Sequence, residues 1–247
     1  MACDLIFDIG FHKGEDTAYY LAKGFRVVAV EANPDLVARG RDRFSDAIRS
    51  GALHIEHAAL SEEADQERTF FVSGFTDWSS LHRKLAARSQ NGVREVTVTT
   101  TTLGALIEKH GLPYYVKSDI EGFDHVCASQ LPALREKPAY VSFELSTPLI
   151  FDSLQEAGYI DYQFLNQRIH DQRHYRANER EGRAIRYQFT ASPDGLPVDC
   201  SGPFGRDLPE GRWIDVGKAR ERYAAWKAIQ SVDPELGVGW LDIHARI

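Results

Sequence analysis

The stretch Leu5–Pro34, LIFDIGFHKGEDTAYYLAKGFRVVAVEANP, constrains the fold more than any other part of the chain. An apolar run, Leu5 to Phe7, ends in Asp8 and passes into a glycine-rich turn carrying Gly10 and Gly14. The pattern predicts a short helix from Asp16 to Lys23, closed by Gly24, because glycine enters the left-handed region cheaply. A second buried run, Val27 to Val30, then ends in Glu31. Strand, turn, helix and strand in that order form a unit whose ligand lies outside the carboxyl ends of parallel strands.

Charge indicates the kind of ligand. The spacing Gly10-x-x-x-Gly14 departs from the G-x-G-x-x-G of a nicotinamide site, and Asp8 beside the turn would repel a pyrophosphate. A carboxylate there suits a ligand carrying an ammonium and a sulfonium. Glu31, about twenty residues on, is placed to accept both hydroxyls of a ribose. S-adenosylmethionine has both features, a cationic amino-acid end and an adenosine end.

Further along, Asn33 caps a helix beginning at Pro34, in which Val37, Phe44 and Ile48 recur until Gly51. A strand follows over Leu53–Ala58 and leads into Ala59, Leu60 and Ser61. Residues 67–73 and 93–99 read as two half-exposed strands flanking Asp77, Trp78, Ser79 and Ser80. A helix is expected from Leu103 to His110. The next strand, within Tyr114–Gly122, meets two acids one residue apart, Asp119 and Glu121. They repel each other unless one is protonated or paired with Lys117, a substrate amine or a metal. The strand Ala139–Leu145 brings Glu144 to the same edge, a helix runs to about Ala157, and Ile160–Leu165 forms a sixth core strand. Residues 166–213 are irregular, and such a stretch inside a domain is expected to be a lid or binding loop over the substrate mouth. An amphipathic helix (Lys218–Gln230) and a last strand, Gly239–Ile247, complete the chain. On that strand Trp240, Asp242 and His244 share one face.

DIGFHKGEDT, VVAVEANP, VKSDIEG, SGPFGRDLP and GWLDIHA together resemble the FkbM-type methyltransferases over nearly the whole chain. The resemblance implies an α/β, Rossmann-like class I methyltransferase fold. That means a central, mostly parallel seven-stranded sheet with an antiparallel last strand, helices on both faces and a lid-like insertion. Residues 1–247 then form one domain, with its core over about 1–165 and 239–247 and the insertion over about 166–238. The resemblance also implies methyl transfer from S-adenosylmethionine, most often to a hydroxyl of a sugar or natural product. The cofactor set becomes Asp8, Gly10, Gly14, Thr17, Glu31, Ala32, Ala59, Ser79, Ser80 and Asp119. Loss of a proton from a hydroxyl nucleophile calls for a base or metal near the acceptor oxygen. The candidates for the base are Asp119, Glu144, His12 and Glu121. Asp119 and Glu144 would act directly or through a divalent cation with oxygen ligands.

The balance of the chain excludes other classes. A formal charge of −7 and a pI near 5.7, with no dense Lys/Arg run, argue against nucleic acid as a partner. The three cysteines, Cys3, Cys127 and Cys200, are isolated, which argues against a disulfide framework or zinc site. With no cleavable leader and no bilayer-length apolar run, a cytoplasmic location off the membrane is expected. Of the other histidines, His54, His57, His82, His110, His125, His170 and His174 show no metal spacing, and His244 is assigned to packing. The expected partner is a small hydroxylated acceptor; a homodimer is left open. Two rival readings are a nicotinamide-dependent oxidoreductase and a non-catalytic cofactor-binding protein. The missing G-x-G-x-x-G opposes the first, and the intact set Asp8, Gly10, Glu31 and Asp119 opposes the second.

Overall fold

Seven mostly buried strands build the main sheet. Its strands are β1 (Leu5–Ile9), β2 (Arg26–Glu31), β3 (Leu53–His57), β7 (Tyr115–Ser118), β8 (Tyr140–Glu144), β9 (Asp161–Asn166) and β10 (Leu241–Arg246), in the order β3-β2-β1-β7-β8-β10-β9. The five strands from β3 to β8 are mutually parallel, and β10 runs antiparallel between β8 and β9. These relations come from a computed structural model that describes residues 4–88, 92–167, 200–237 and 239–247. The strand order reverses between β1 and β7, the switch point at which open α/β sheets bind ligands. A smaller sheet, β4 (Ala59–Leu60), β6 (Val93–Thr101) and β5 (Glu67–Ser73), stands beside the carboxyl edge in the order β4-β6-β5.

Helices cover both faces. Leu103 and Leu106 of α5 (Leu103–His110) share one core with Val126 of α6 (Asp124–Ser129), Phe151 of α7 (Leu149–Glu156) and Tyr223 of α8 (Val216–Val232). On the other face, Tyr19 and Tyr20 of α1 (Glu15–Ala22) and Val37 of α2 (Pro34–Arg43) pack on Ile6, Val27 and Ala29. Leu103–His110 is the helix the sequence predicts, while the run from Pro34 to Gly51 is two helices. It breaks at Phe44, before α3 (Ser45–Arg49), because the Phe44 ring turns inward edge-on to Phe11, with centroids 5.9 Å apart.

The expected insertion lies in large part outside the described residues, since nothing from 168 to 199 belongs to them. Its SGPFG segment does not project as a flap. Phe204, 1% exposed, enters the core against Tyr19, Tyr20, Phe25 and Tyr115. Lys23 and Asp207 form a buried ion pair next to it.

Strand alternation also creates something the sequence hides. Asp8, Lys117, Ser142, His244 and Gln163 lie in one register row across β1, β7, β8, β10 and β9, and all are buried. This polar row lies beneath the carboxyl edge of the sheet. Among the described residues, no helix is long and apolar enough to cross a membrane.

Candidate active site

A cleft of about 530 Å³ opens over the β1/β7 switch point, within the size range of small-molecule sites. One wall comes from β2. Glu31 ends that strand, and its two carboxylate oxygens each accept a backbone N–H, from Asn33 and His12, both at 2.8 Å. These bonds fix the carboxylate in the wall of the cleft. Burial raises its pKa. Ala32 and Ala59 line the same side, and Ser79 and Trp78 close it from the loop after β5.

The floor is a turn of tight backbone. A side chain at Gly10 would place its Cβ 1.9 Å from the Asp119 carbonyl oxygen, so the turns after β1 and β7 touch without room for one. His12 and Glu121 both hold positive φ, 51° and 40°, and both line the cleft. Such backbone costs of order 1 kcal/mol or more per residue and concentrates at functional sites. Ser80 holds one of these turns, donating its hydroxyl to the Glu121 carbonyl at 2.9 Å. The His12 ring reaches Thr76 Oγ1 at 2.9 Å and Asp77 Oδ1 at 2.8 Å, and the bond from His12 holds the Asp77 carboxyl below its usual pKa.

Three carboxylates meet at the far end. Asp119, Glu121 and Glu144 each bring an oxygen within 4.8 Å of the others. Burial, then the charge of Asp119, pushes Glu121 up to about 8 and Glu144 well above the usual carboxylate range. At neutral pH this corner therefore stores protons that an arriving cation would release. The arrangement can bind a positive charge, hold a divalent cation or take a proton from a neighbouring hydroxyl.

The structure moves part of the expected cofactor set out of the cleft. Asp8 is fully buried and accepts the Thr17 hydroxyl at 2.6 Å, so neither residue faces the ligand space. The reason is register: β1 continues to Ile9, and the Asp8 side chain projects beneath α1 instead of off the strand tip. Gly14 also lies outside the lining. It caps α1 with φ 81°, against the rings of Phe11 and Phe44. Ser80 supports the wall from behind. Gly10, Glu31, Ala32, Ala59, Ser79 and Asp119 line the cleft, as do His12, Glu121 and Glu144.

Sequence reasoning missed the Asp16–Lys117 pair. Lys117 Nζ donates to Asp16 Oδ2 at 2.8 Å and approaches Asp119 Oδ2 at 3.4 Å, and all three residues line the cleft. Asp16 also accepts the Ser201 N–H at 2.7 Å and its hydroxyl at 2.8 Å, tying the C-terminal part of the chain to the cleft. The available signal was a lysine inside a buried strand, which needs a buried anion.

Residues 8–160 match the methyltransferase FkbM domain. No match was found among curated proteins. Among solved structures, the chain is similar to the methyltransferase FkbM of Methylobacillus flagellatus KT, at 16% identity and TM-score 0.41 over 66% of this chain and 39% of that one. It is similar to precorrin-6y C5,15-methyltransferase of Geobacter metallireducens GS-15, at 12% identity and TM-score 0.38 over 66% of each chain. A third is an O-methyltransferase of Bacillus cereus in complex with SAH, at 10% identity and TM-score 0.34 over 100% of this chain and 75% of that one. The chain thus spans about two fifths of the length of the first of these.

Proposed function

This chain belongs to the FkbM methyltransferase family, and from that premise we propose that it methylates a hydroxyl of a small metabolite, sugar or natural product with S-adenosylmethionine as donor. The observation that carries this reading is the meeting of Glu31, the Asp16–Lys117–Asp119 group and the Glu121–Glu144 corner in one cleft. The donor brings its own leaving group, so the protein supplies alignment and exclusion of water.

Each part of the cleft has a role in that reading. Glu31, already fixed by two backbone donors, accepts the ribose hydroxyls. Ala32 and Ala59 flank the adenine. The carboxylates of Asp16 and Asp119 take the ammonium and the positive charge beside it, with Lys117 holding both acids in place. Glu144 and Glu121, at the end of the cleft, receive the proton of the acceptor hydroxyl once a cation in the cleft has drawn their own protons off. His12 is the alternative base, held by Asp77. The three-acid corner would also suit a divalent cation with oxygen ligands, which would lower the pKa of the acceptor hydroxyl.

The test is transfer of a tritiated methyl group to a metabolite extract, with and without EDTA. Label in a small hydroxylated product supports the reading, and loss of transfer with EDTA shows a metal requirement. Donor binding with no transfer to any hydroxyl would overturn it.

A further inference from the structure

On the opposite margin of the sheet, far from the Glu144 corner, the fold assembles a second cluster. β3 is the edge strand, and its alternation sends Leu53 and Ile55 into one core and His54 and Glu56 to the other face. There they meet His110, the last residue of α5. His54 Nε2 is 3.1 Å from Glu56 Oε1, His110 Nε2 is 2.6 Å from the same oxygen, and the two imidazole centroids are 4.9 Å apart. One ligand atom from each of the three lies within 4.8 Å of the others. No sequence spacing reveals this, because fifty-odd residues separate the pair of β3 from the helix end.

We infer that His54, Glu56 and His110 form a binding site for a divalent transition metal of the zinc, cobalt or nickel type. Two imidazoles and one carboxylate are the donor set such borderline ions take, and three protein ligands leave a position for water. The parts are positioned in advance. The His110 ring packs edge-on against buried Phe7, with centroids 6.4 Å apart, and its side chain is only 14% exposed. His54, with 52% of its side chain exposed, provides the entry.

The neighbouring charge is consistent with a cation site. Burial pushes the Glu56 carboxyl up, but hydrogen bonds from Lys109 and His110 outweigh it and hold it below the usual range. Lys109 Nζ now sits 2.6 Å from Glu56 Oε1 on a side chain 59% exposed. Its ammonium stands where a metal would bind, and the exposed side chain has open solvent to turn into when one arrives. A bound ion would tie the edge strand to the helix end and stiffen the segment leading to Ala59 in the cleft wall.

The test uses the full chain, stripped with EDTA and dialysed, and titrated with Co2+ by absorption and with Zn2+ by calorimetry. The expected result is one nitrogen-ligated site giving the intense visible bands of low-coordinate cobalt, together with a rise in melting temperature; a cation held by oxygens alone at the Glu144 corner adds no such band. His54→Ala and His110→Ala should each weaken Zn2+ by more than the roughly 10–100-fold that loss of a ligand's own partner costs. Glu144→Gln, at the other acidic corner, should leave the cobalt spectrum unchanged. His54 is exposed, so its variant tests the site without threatening the fold. Unchanged affinity and spectrum in His54→Ala, or no cobalt band in the parent chain, would overturn the assignment.

Discussion

Lys117 and Asp16 form an ion pair of 2.8 Å in the cleft floor, with side chains only 5% and 9% exposed. The lysine arrives on β7 and the aspartate on the first turn of α1, so the pair joins the two halves of the sheet at the switch point. A buried pair of this kind is weak evidence of net stabilisation, but losing one partner strands the other charge. Lys117→Met should therefore cost about 3–5 kcal/mol, read from urea unfolding, and Lys117→Met with Asp16→Asn should recover much of it. A single-variant loss below about 1 kcal/mol would show that Asp16 finds water or another partner.

Gly10 tests the floor. Its φ is 94°, and a methyl group there meets the Asp119 carbonyl oxygen. Gly10→Ala should lower stability by roughly 1–3 kcal/mol and weaken S-adenosylmethionine by pushing the two strand-tip turns apart. Gly51→Ala, with φ 76° and nothing within 4 Å of the new carbon, carries only the backbone strain and should leave cofactor affinity alone. Equal cofactor affinity in the two variants would contradict the close approach described.

Glu31 tests the placement of the ribose. The cofactor is expected to bind at micromolar concentration. Hydrogen bonds to a charged group are each worth about 1.5–3 kcal/mol, so Glu31→Ala should weaken binding by more than about tenfold while circular dichroism stays unchanged. Calorimetry showing parental affinity would remove the ribose from β2.

Acid stability follows from the buried carboxyls. Burial pushes both Asp8 and Asp124 from 3.8 up to about 7. A carboxyl whose pKa is higher folded than unfolded keeps its proton in the folded chain after the unfolded chain has lost it. That advantage is full below about pH 4 and is lost as pH rises towards 7. Asp77, held low by His12, acts in the opposite sense and only in the acid range below its unfolded pKa. The ligand-free melting temperature should therefore fall between about pH 4 and pH 7, and Asp8→Asn, which still accepts the Thr17 hydroxyl, should flatten the profile. A melting temperature that rises across this window would refute the buried-acid account.

What the sequence disclosed and what it hid separate by range. Glu31, Asp119 and Glu144 were legible because each ends or follows an apolar run, and parallel strands carry such residues to one edge. Asp8 stands one position short of the strand end: the strand extends to Ile9, and a period of two residues then sends the carboxylate under the helix. Phe44 falls at helical spacing in the sequence, whereas its ring packs edge-on against Phe11, a contact no local pattern announces. Asp16 with Lys117, the polar row from Asp8 to Gln163, and His54 with His110 depend on register between distant strands. That register comes from tertiary packing, which one chain's periodicity does not encode.

Acids at neighbouring strand tips receive the methyl donor, and a crystal structure of the chain with S-adenosylhomocysteine is the decisive measurement. Both ribose hydroxyls should be hydrogen-bonded to the Glu31 carboxylate, with the amino-acid end at Asp16 and Asp119 and the sulfur facing Glu144. A ligand lodged outside this cleft, with Glu31 holding backbone donors alone, is the opposite result.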